Sequence, residues 1–225
     1  MSNTIHNLFP SPVYTVQGEF DLNSIEEEKK EIENIIKEGM RENYAGSENI
    51  IKEGMRENYA DGQNKFSLDR HILSRLHKLN KFIEEHINIY VKEIINPKEK
   101  LDFYILQSWL NVTKPNQRHH VHWHSNSIIS GVFYVKCVEK DKIYFHDPNQ
   151  KSKEVISIAQ KEYTPWNSPS WFIPIETNEL VIFPSWLDHS VDKNEKATTD
   201  RFSISFNTFA KGIFGSPDTT NKLIL

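Results

Sequence analysis

From residue 101 onward the chain is written as short apolar stretches separated by turn residues, and this pattern restricts its fold more than any other feature. Residues 103–113 (FYILQSWLNVT), 128–136 (IISGVFYVK), 142–146, 154–158, 171–175, 180–183 and 201–209 each read as a strand. Lys114-Pro115-Asn116, Asp147-Pro148-Asn149, Asn167-Ser168-Pro169 and Asp192-Lys193-Asn194 separate them with residues that favour turns. Seven to nine short strands over about 110 residues predict a sandwich or barrel, since no such strand can bury its apolar face alone.

The first hundred residues have a different character. Leu8 to Val16 reads as a short strand entered through a proline-stiffened segment. Ser24 and Glu27 form a capping-box signature, and a charged helix follows to about Lys37. Over residues 67–95, Ile72, Leu73, Leu76, Leu79, Phe82, Ile83, Ile87 and Tyr90 recur at helical spacing, and Asn96-Pro97 ends the run. His71, His77 and His86 fall on that stretch and read as surface or packing residues. The expectation is one α+β, mainly β domain over residues 1–225, with helical support in 1–100 and the β core in 101–215.

One segment breaks the pattern. Glu33 to Ala45 reads ENIIKEGMRENYA, and Glu48 to Ala60 repeats the same thirteen residues at an offset of 15. Fifteen residues rotate a helix about 60° past four whole turns, so one continuous helix cannot present both copies to the same neighbour. The reading is a tandem duplication, natural or artefactual, with one copy packed and the other an exposed insertion.

Bulk properties exclude several functions. A chain of 225 residues can bury a sizeable core. A net charge of −4 offers no footing for nucleic acid or an anionic membrane. The single cysteine, Cys137, rules out intramolecular disulfides and cysteine-rich zinc sites. No stretch approaches the ~20 apolar residues of a membrane span, and Met1 to Gln17 lacks the basic-then-apolar order of a signal peptide.

Chemistry concentrates in His119-His120-Val121-His122-Trp123-His124, which holds four of the ten histidines in six residues. Imidazole is the commonest ligand for borderline transition metals. If the tract is extended, His120, His122 and His124 share a face and Trp123 opposes them. A facial metal site needs a further ligand from a non-adjacent strand. Leu180 to Phe183 runs into Pro184-Ser185-Trp186-Leu187-Asp188 and delivers His189 some 65 residues after the tract. Twelve residues later, strand 201–209 alternates Arg201, Ser203, Ser205 and Asn207 against Phe202, Ile204, Phe206 and Thr208. If its polar side lines a cavity, Arg201 is placed to grip a carboxylate through paired hydrogen bonds, with Ser203 assisting.

These motifs together resemble the non-haem iron(II)- and 2-oxoglutarate-dependent oxygenases. More narrowly, residues 108–112 (SWLNV), His122-Trp123-His124, residues 130–135 (SGVFYV), residues 183–187 (FPSWL) and residues 201–207 (RFSISFN) resemble a prolyl-hydroxylase-like group found in bacteria and in phages of marine bacteria. The resemblance spans about residues 101–215. It implies a double-stranded β-helix (jelly roll) with iron at the barrel mouth. It also implies His122 as proximal ligand, His189 as distal ligand and Arg201 as 2-oxoglutarate anchor with Ser203. Asn111, Tyr134 and Asn207 become candidates around the co-substrate or a metal-bound water. The family places a carboxylate two residues after the proximal histidine, and here that residue is His124. The metal would then have three histidines, or two and a water. In an alternative register His124 is the proximal ligand and Asn126 takes the acid position. Asp188 is a candidate partner for a ligand ring, and the five tryptophans are candidates to shape the pocket, although packing suits most of them.

The implied activity is hydroxylation of a C–H bond with release of succinate and carbon dioxide. Fe(II) is the cofactor, 2-oxoglutarate the co-substrate, and dioxygen and a small-molecule or protein substrate the partners. Neither nucleic acid nor membrane is expected. A homodimer is compatible, and the expected location is the cytoplasm, that of the host if the chain is phage-encoded. Two other readings stay open: a cupin-type metal-dependent dioxygenase or isomerase that does not use 2-oxoglutarate, and a catalytically inactive binding or structural module. The stretch 151–170 is the expected lid.

Overall fold

β-Branched and aromatic residues alternate with small polar ones through the second half of the chain, and the strands they form close into two facing sheets. The computed structural model describes residues 4–18, 26–42, 64–150, 156, 158–215 and 223–225. Its elements in order are β1 (Tyr14–Gln17), α1 (Glu26–Glu38), β2 (Met40–Glu42), β3 (Lys65–Ser67), a 3-10 turn (Ile72–Arg75), α2 (His77–Tyr90) and a π turn (Val91–Ile95). They continue with β4 (Leu101–Thr113), β5 (His119–His122), β6 (Ile129–Lys136), β7 (Lys142–His146), β8 (Ser170–Pro174), β9 (Glu179–Pro184), β10 (His189–Val191), β11 (Arg201–Phe214) and β12 (Leu223–Ile224). The larger sheet runs β1-β9-β6-β11-β4-β3-β2, with β12 beside β11, and the smaller runs β5-β10-β7-β8. All the paired strands are antiparallel. Two such sheets built from β4–β11 are a double-stranded β-helix.

The helices cover the outer face of the larger sheet. Ile83, Ile87 and Tyr90 of α2 share one buried cluster with Leu110, Phe133, Leu180, Ile204 and Phe206 of the sheet. A second cluster lies inside the barrel: Val132, Tyr134, Ile143, Phe145, Val181, Phe183 and Leu187. Thus β6 and β9 are buried on both faces, which explains why they read as nearly continuous apolar runs. Gly131 has a positional reason. A Cβ there would lie 2.3 Å from Cζ of Phe206 and 2.8 Å from the carbonyl oxygen of Val181. No helix among the described residues is long and apolar enough to cross a membrane.

Several expectations change. The helix expected over 67–95 begins at His77, because Ser67 ends a strand and Leu76 has non-helical angles (φ −112°, ψ 72°). Leu76 caps nothing with its own side chain. Instead, Oε1 of buried Glu28, from α1, accepts from the amides of Lys78 (2.7 Å) and Leu79 (3.2 Å). A residue of the charged helix thus caps another helix from across the fold. Of the first repeat copy, residues 33–38 complete α1, with Ile35 buried, and Met40–Glu42 form β2 after a turn at Gly39 (φ +127°). The second copy, 48–60, lies outside the described residues, as does the Ser24 cap. Residues 154, 155 and 157 of the expected strand 154–158 also lie outside them, and Ile156 and Ile158 are exposed and not in a strand. The first half of the expected lid falls largely in the same gap. Its second half, residues 158–169, carries no strand and ends in exposed turns that include Trp166.

Candidate metal centre and co-substrate cavity

The polar positions of β11 are not in water. Ser203 and Arg201 are buried, and so is Asn207. Register explains what they meet. Arg201 pairs with Thr113 of β4, and Ser203 sits between Asn111 of β4 and Tyr134 of β6. Side chains directly across an antiparallel sheet share a face, so Arg201, Ser203, Asn111 and Tyr134 converge on the barrel interior. All four line one cavity with His119, His122, His124, His189, Trp109, Asn64 and Ser205.

The histidines arrive from the smaller sheet. His122 of β5 and His189 of β10 are direct register partners. β5 ends at His122, so His124 reaches the cavity from a turn and not by strand alternation. That turn is tied down: the His124 amide donates to the Ser185 carbonyl at 2.9 Å, and the Ser185 amide donates to the Ile128 carbonyl at 3.1 Å. The hydroxyls of Ser127, Ser185 and Ser130 form a chain (2.7 and 2.8 Å) beneath it. Candidate ligand atoms of His122, His124 and His189 all lie within 4.8 Å of one another.

Hydrogen bonds set the state of these rings. Nδ1 of His122 lies 2.8 Å from the His120 carbonyl, and Nδ1 of His189 lies 2.9 Å from the Leu187 carbonyl. A carbonyl can only accept, so Nδ1 carries the proton in both rings, and Nε2 keeps its lone pair for a metal. The Leu187 carbonyl thus does for His189 what was assigned to Asp188. Asn207 accepts from Ser130 Oγ at 2.8 Å and lies 3.4 Å from His124 Nδ1, so it supports a histidine and does not line the cavity. Burial lowers the pKa of His122 to about 4 and that of His124 to about 3, with His120 opposing charge on the first and His122 on the second. Burial, then His122 and His124, holds His189 well below the usual range. Neutral imidazoles are what a metal requires.

The far end of the cavity is cationic and compensated. Arg201 Nη1 donates to Asp141 Oδ1 at 3.0 Å, and Nη2 donates to Thr113 Oγ1 at 3.0 Å. Its Nε is buried without a partner among the described residues, and so is Asp141 Oδ2. A buried guanidinium with an unused donor suits a carboxylate ligand. Asn111 donates to Ser205 Oγ (2.9 Å) and accepts from Asn64 (3.1 Å), which stiffens that wall. Burial raises the Tyr134 pKa, which keeps the phenol a neutral donor.

Asp141, Asn64 and His119 also belong to the site, although neither the residue pattern nor the resemblance assigns them a role. His119 lines the cavity with its ring centroid 4.1 Å from that of His122. Asp141 had no signal of its own, because nothing in a Lys-Asp-Lys turn announces a buried ion pair. Asn126, the acid position of the alternative register, is exposed in a turn at φ +54° and does not line the cavity. Of the tryptophans, Trp109 lines the cavity, whereas Trp123 (61% exposed), Trp186 (54%), Trp166 and Trp171 face outward and pack no core.

A two-sheet β barrel whose cavity is lined by clustered imidazoles and a buried arginine has donor groups that could hold a metal ion and a carboxylate. The comparisons narrow it. Residues 107–207 match the family described as "Putative 2OG-Fe(II) oxygenase". The matched stretch runs from β4 to β11 and holds the four cavity histidines and Arg201, so this part of the chain is similar to the 2OG-Fe(II) oxygenases. Solved structures share the fold at low identity. The α-ketoglutarate-dependent carbocyclase SnoK from nogalamycin biosynthesis is 12% identical with a TM-score of 0.59, over 89% of this chain and 81% of that one. A Pseudomonas putida prolyl-4-hydroxylase is 11% identical with a TM-score of 0.51, over 88% and 92%. HygX from Streptomyces hygroscopicus, with nickel, 2-oxoglutarate and hygromycin B bound, is 8% identical with a TM-score of 0.51, over 88% and 82%. No curated protein matches the sequence.

Proposed function

We propose that this protein is an Fe(II)- and 2-oxoglutarate-dependent dioxygenase that hydroxylates a C–H bond of a small-molecule or protein substrate, with release of succinate and carbon dioxide. One observation carries the reading: a cluster of three neutral histidines and a buried arginine with an unused donor line the same cavity. The residues fit the group. His122 and His189 have Nε2 lone pairs directed by backbone carbonyls, and His124 takes the place where the family has a carboxylate. His122, His124 and His189 are the proposed metal ligands. When bound, Fe(II) supplies oxidative decarboxylation of the 2-oxo acid by dioxygen.

The chain's own residues do the rest. Arg201 binds the far carboxylate of 2-oxoglutarate through Nε and its fork, with Ser203 as a second donor. Asp141 balances the guanidinium when the site is empty and fixes its plane when filled. Tyr134 and Asn111 orient the co-substrate between the two ends. Phe183, Ile143 and Val132 wall off water around the histidines, which strengthens the charge pairing at Arg201. A cupin-type reaction has no use for Arg201 in this cavity.

Anaerobic calorimetric titration with Fe(II) and then 2-oxoglutarate tests the reading. Wild type should bind one of each and release succinate in air. Arg201→Ala should keep Fe(II) and lose 2-oxoglutarate affinity by at least roughly 10–100-fold, the value of a single charge-assisted hydrogen bond. An Arg201→Ala protein that binds 2-oxoglutarate as wild type does would remove the anchor assignment.

A further inference from the structure

The catalytic triad uses three of the histidines gathered at this end of the barrel and leaves two unexplained. His122 pairs with His189, while His119, three residues back, pairs with Val191, two residues on. β5 therefore carries one extra residue, a bulge that breaks simple alternation. The bulge brings His119 and His120 both toward His122, instead of leaving one on the opposite face. Ring centroids stand 4.1 Å (His119–His122), 5.2 Å (His119–His120) and 5.2 Å (His120–His122) apart. Candidate ligand atoms of these three residues also lie within 4.8 Å of one another. Nδ1 of His120 is buried and has no hydrogen-bond partner among the described residues. An unpaired buried ring nitrogen is costly unless something coordinates it.

We propose that His119, His120 and His122 form a second seat for a divalent transition metal, which competes with the catalytic seat for His122. Nitrogen ligands at the ~2.1 Å typical of zinc are spaced roughly 3.4 Å apart, so either triad closes on an ion by small ring rotations. The two seats differ in support. In the inner triad, backbone carbonyls orient His122 and His189, and Asn207 stands beside His124. In the outer triad His120 has no such partner, and loss of orienting partners typically costs 10–100-fold in affinity. The outer seat is therefore the weaker one. Because His122 serves both, wild-type protein holds one ion at a time. The inference rests on the catalytic reading only for that shared residue.

Zn2+ titration with elemental analysis after dialysis tests it, using wild type, His189→Ala, His120→Ala and the double variant, each checked for fold by circular dichroism. Wild type should bind one Zn2+, and His120→Ala should match it within about twofold. His189→Ala, its inner triad broken, should still bind one Zn2+ at least about tenfold more weakly. The double variant should lose at least a further tenfold. His120→Cys in the His189→Ala background should restore binding, since a thiolate also ligates zinc. A His189→Ala protein that binds no Zn2+, or whose binding ignores His120→Ala, would overturn the second seat. The catalytic reading answers separately to succinate release by wild type. Should His189→Ala fail to fold, His124→Ala breaks the inner triad from a turn and takes its place in every arm.

Discussion

At the scale of single residues, the unusual feature of the proposed site is His124, which stands where the resemblance implies a carboxylate. Burial holds His124 neutral, so the proposed triad of three histidines would leave the full charge of a divalent ion on the centre, where a carboxylate would remove one unit. The 2-oxo acid's own carboxylates then supply the first compensation. His124→Asp restores the common ligand set at the same backbone position. It is expected to keep Fe(II) and 2-oxoglutarate-dependent succinate release, whereas His124→Ala should lose Fe(II) affinity by at least about a hundredfold, more than an outer partner is worth. Iron content after gel filtration reads both. If His124→Ala keeps wild-type Fe(II) affinity together with 2-oxoglutarate-dependent succinate release, the third ligand lies elsewhere.

At the scale of elements, the helices are fastened to the barrel by contacts that cross the fold. Glu28 of α1 caps the first turn of α2 (2.7 and 3.2 Å), in place of any side chain at the cap position itself. Glu28→Ala should cost about 1–2 kcal/mol in denaturant unfolding, and Glu28→Gln clearly less, since an amide oxygen still accepts. Arg75 binds Glu31 and Glu38 of α1 as well as Asp69, which holds α1 against the 3-10 turn. Farther along α2, His86 Nδ1 lies 2.7 Å from the Tyr14 hydroxyl of β1 and packs against Phe82. Burial lowers the His86 pKa below 6.5, only partly opposed by Glu85. The folded value lies below the unfolded one, so the unfolded chain takes up more protons as pH falls through 6.5. Stability from this group is complete above about pH 6.5 and is lost below it. The melting temperature of His86→Gln should therefore fall less between pH 7 and pH 5 than that of wild type, and an equal fall would contradict the argument.

For the whole molecule, an ion held by the proposed ligands would tie β5, the turn after it and β10 into one unit. An ion that binds only the folded state stabilises all of it, by about 2.7 kcal/mol at a hundred times its dissociation constant. Divalent metal should therefore raise the melting temperature of wild type, and chelator should reverse the rise. His122→Ala, which removes the residue common to both triads, should show no rise at all; a wild-type-sized shift in that variant would place the ion away from the tract.

Much of this was legible in order along the chain, and the reasons differ from part to part. Strand positions were readable because a buried strand must be apolar, and turns because proline, glycine and asparagine have local backbone preferences that need no partner. The histidine tract, His189 and Arg201 stood out because their side chains suit metal and carboxylate chemistry wherever they are placed. What the residues could not reveal depends on pairing. The bulge in β5 puts His119 in the cavity, against the alternation expected of a strand. The register of β4, β6 and β11 buries the polar side of β11, and Asp141 meets Arg201 across 60 residues. A capping carboxylate reaches α2 from another helix. These contacts join residues distant in sequence, and no local preference encodes them. Composition and pattern therefore specify which donor groups the chain carries, and the packing of the two sheets selects which histidines it gathers around one cavity.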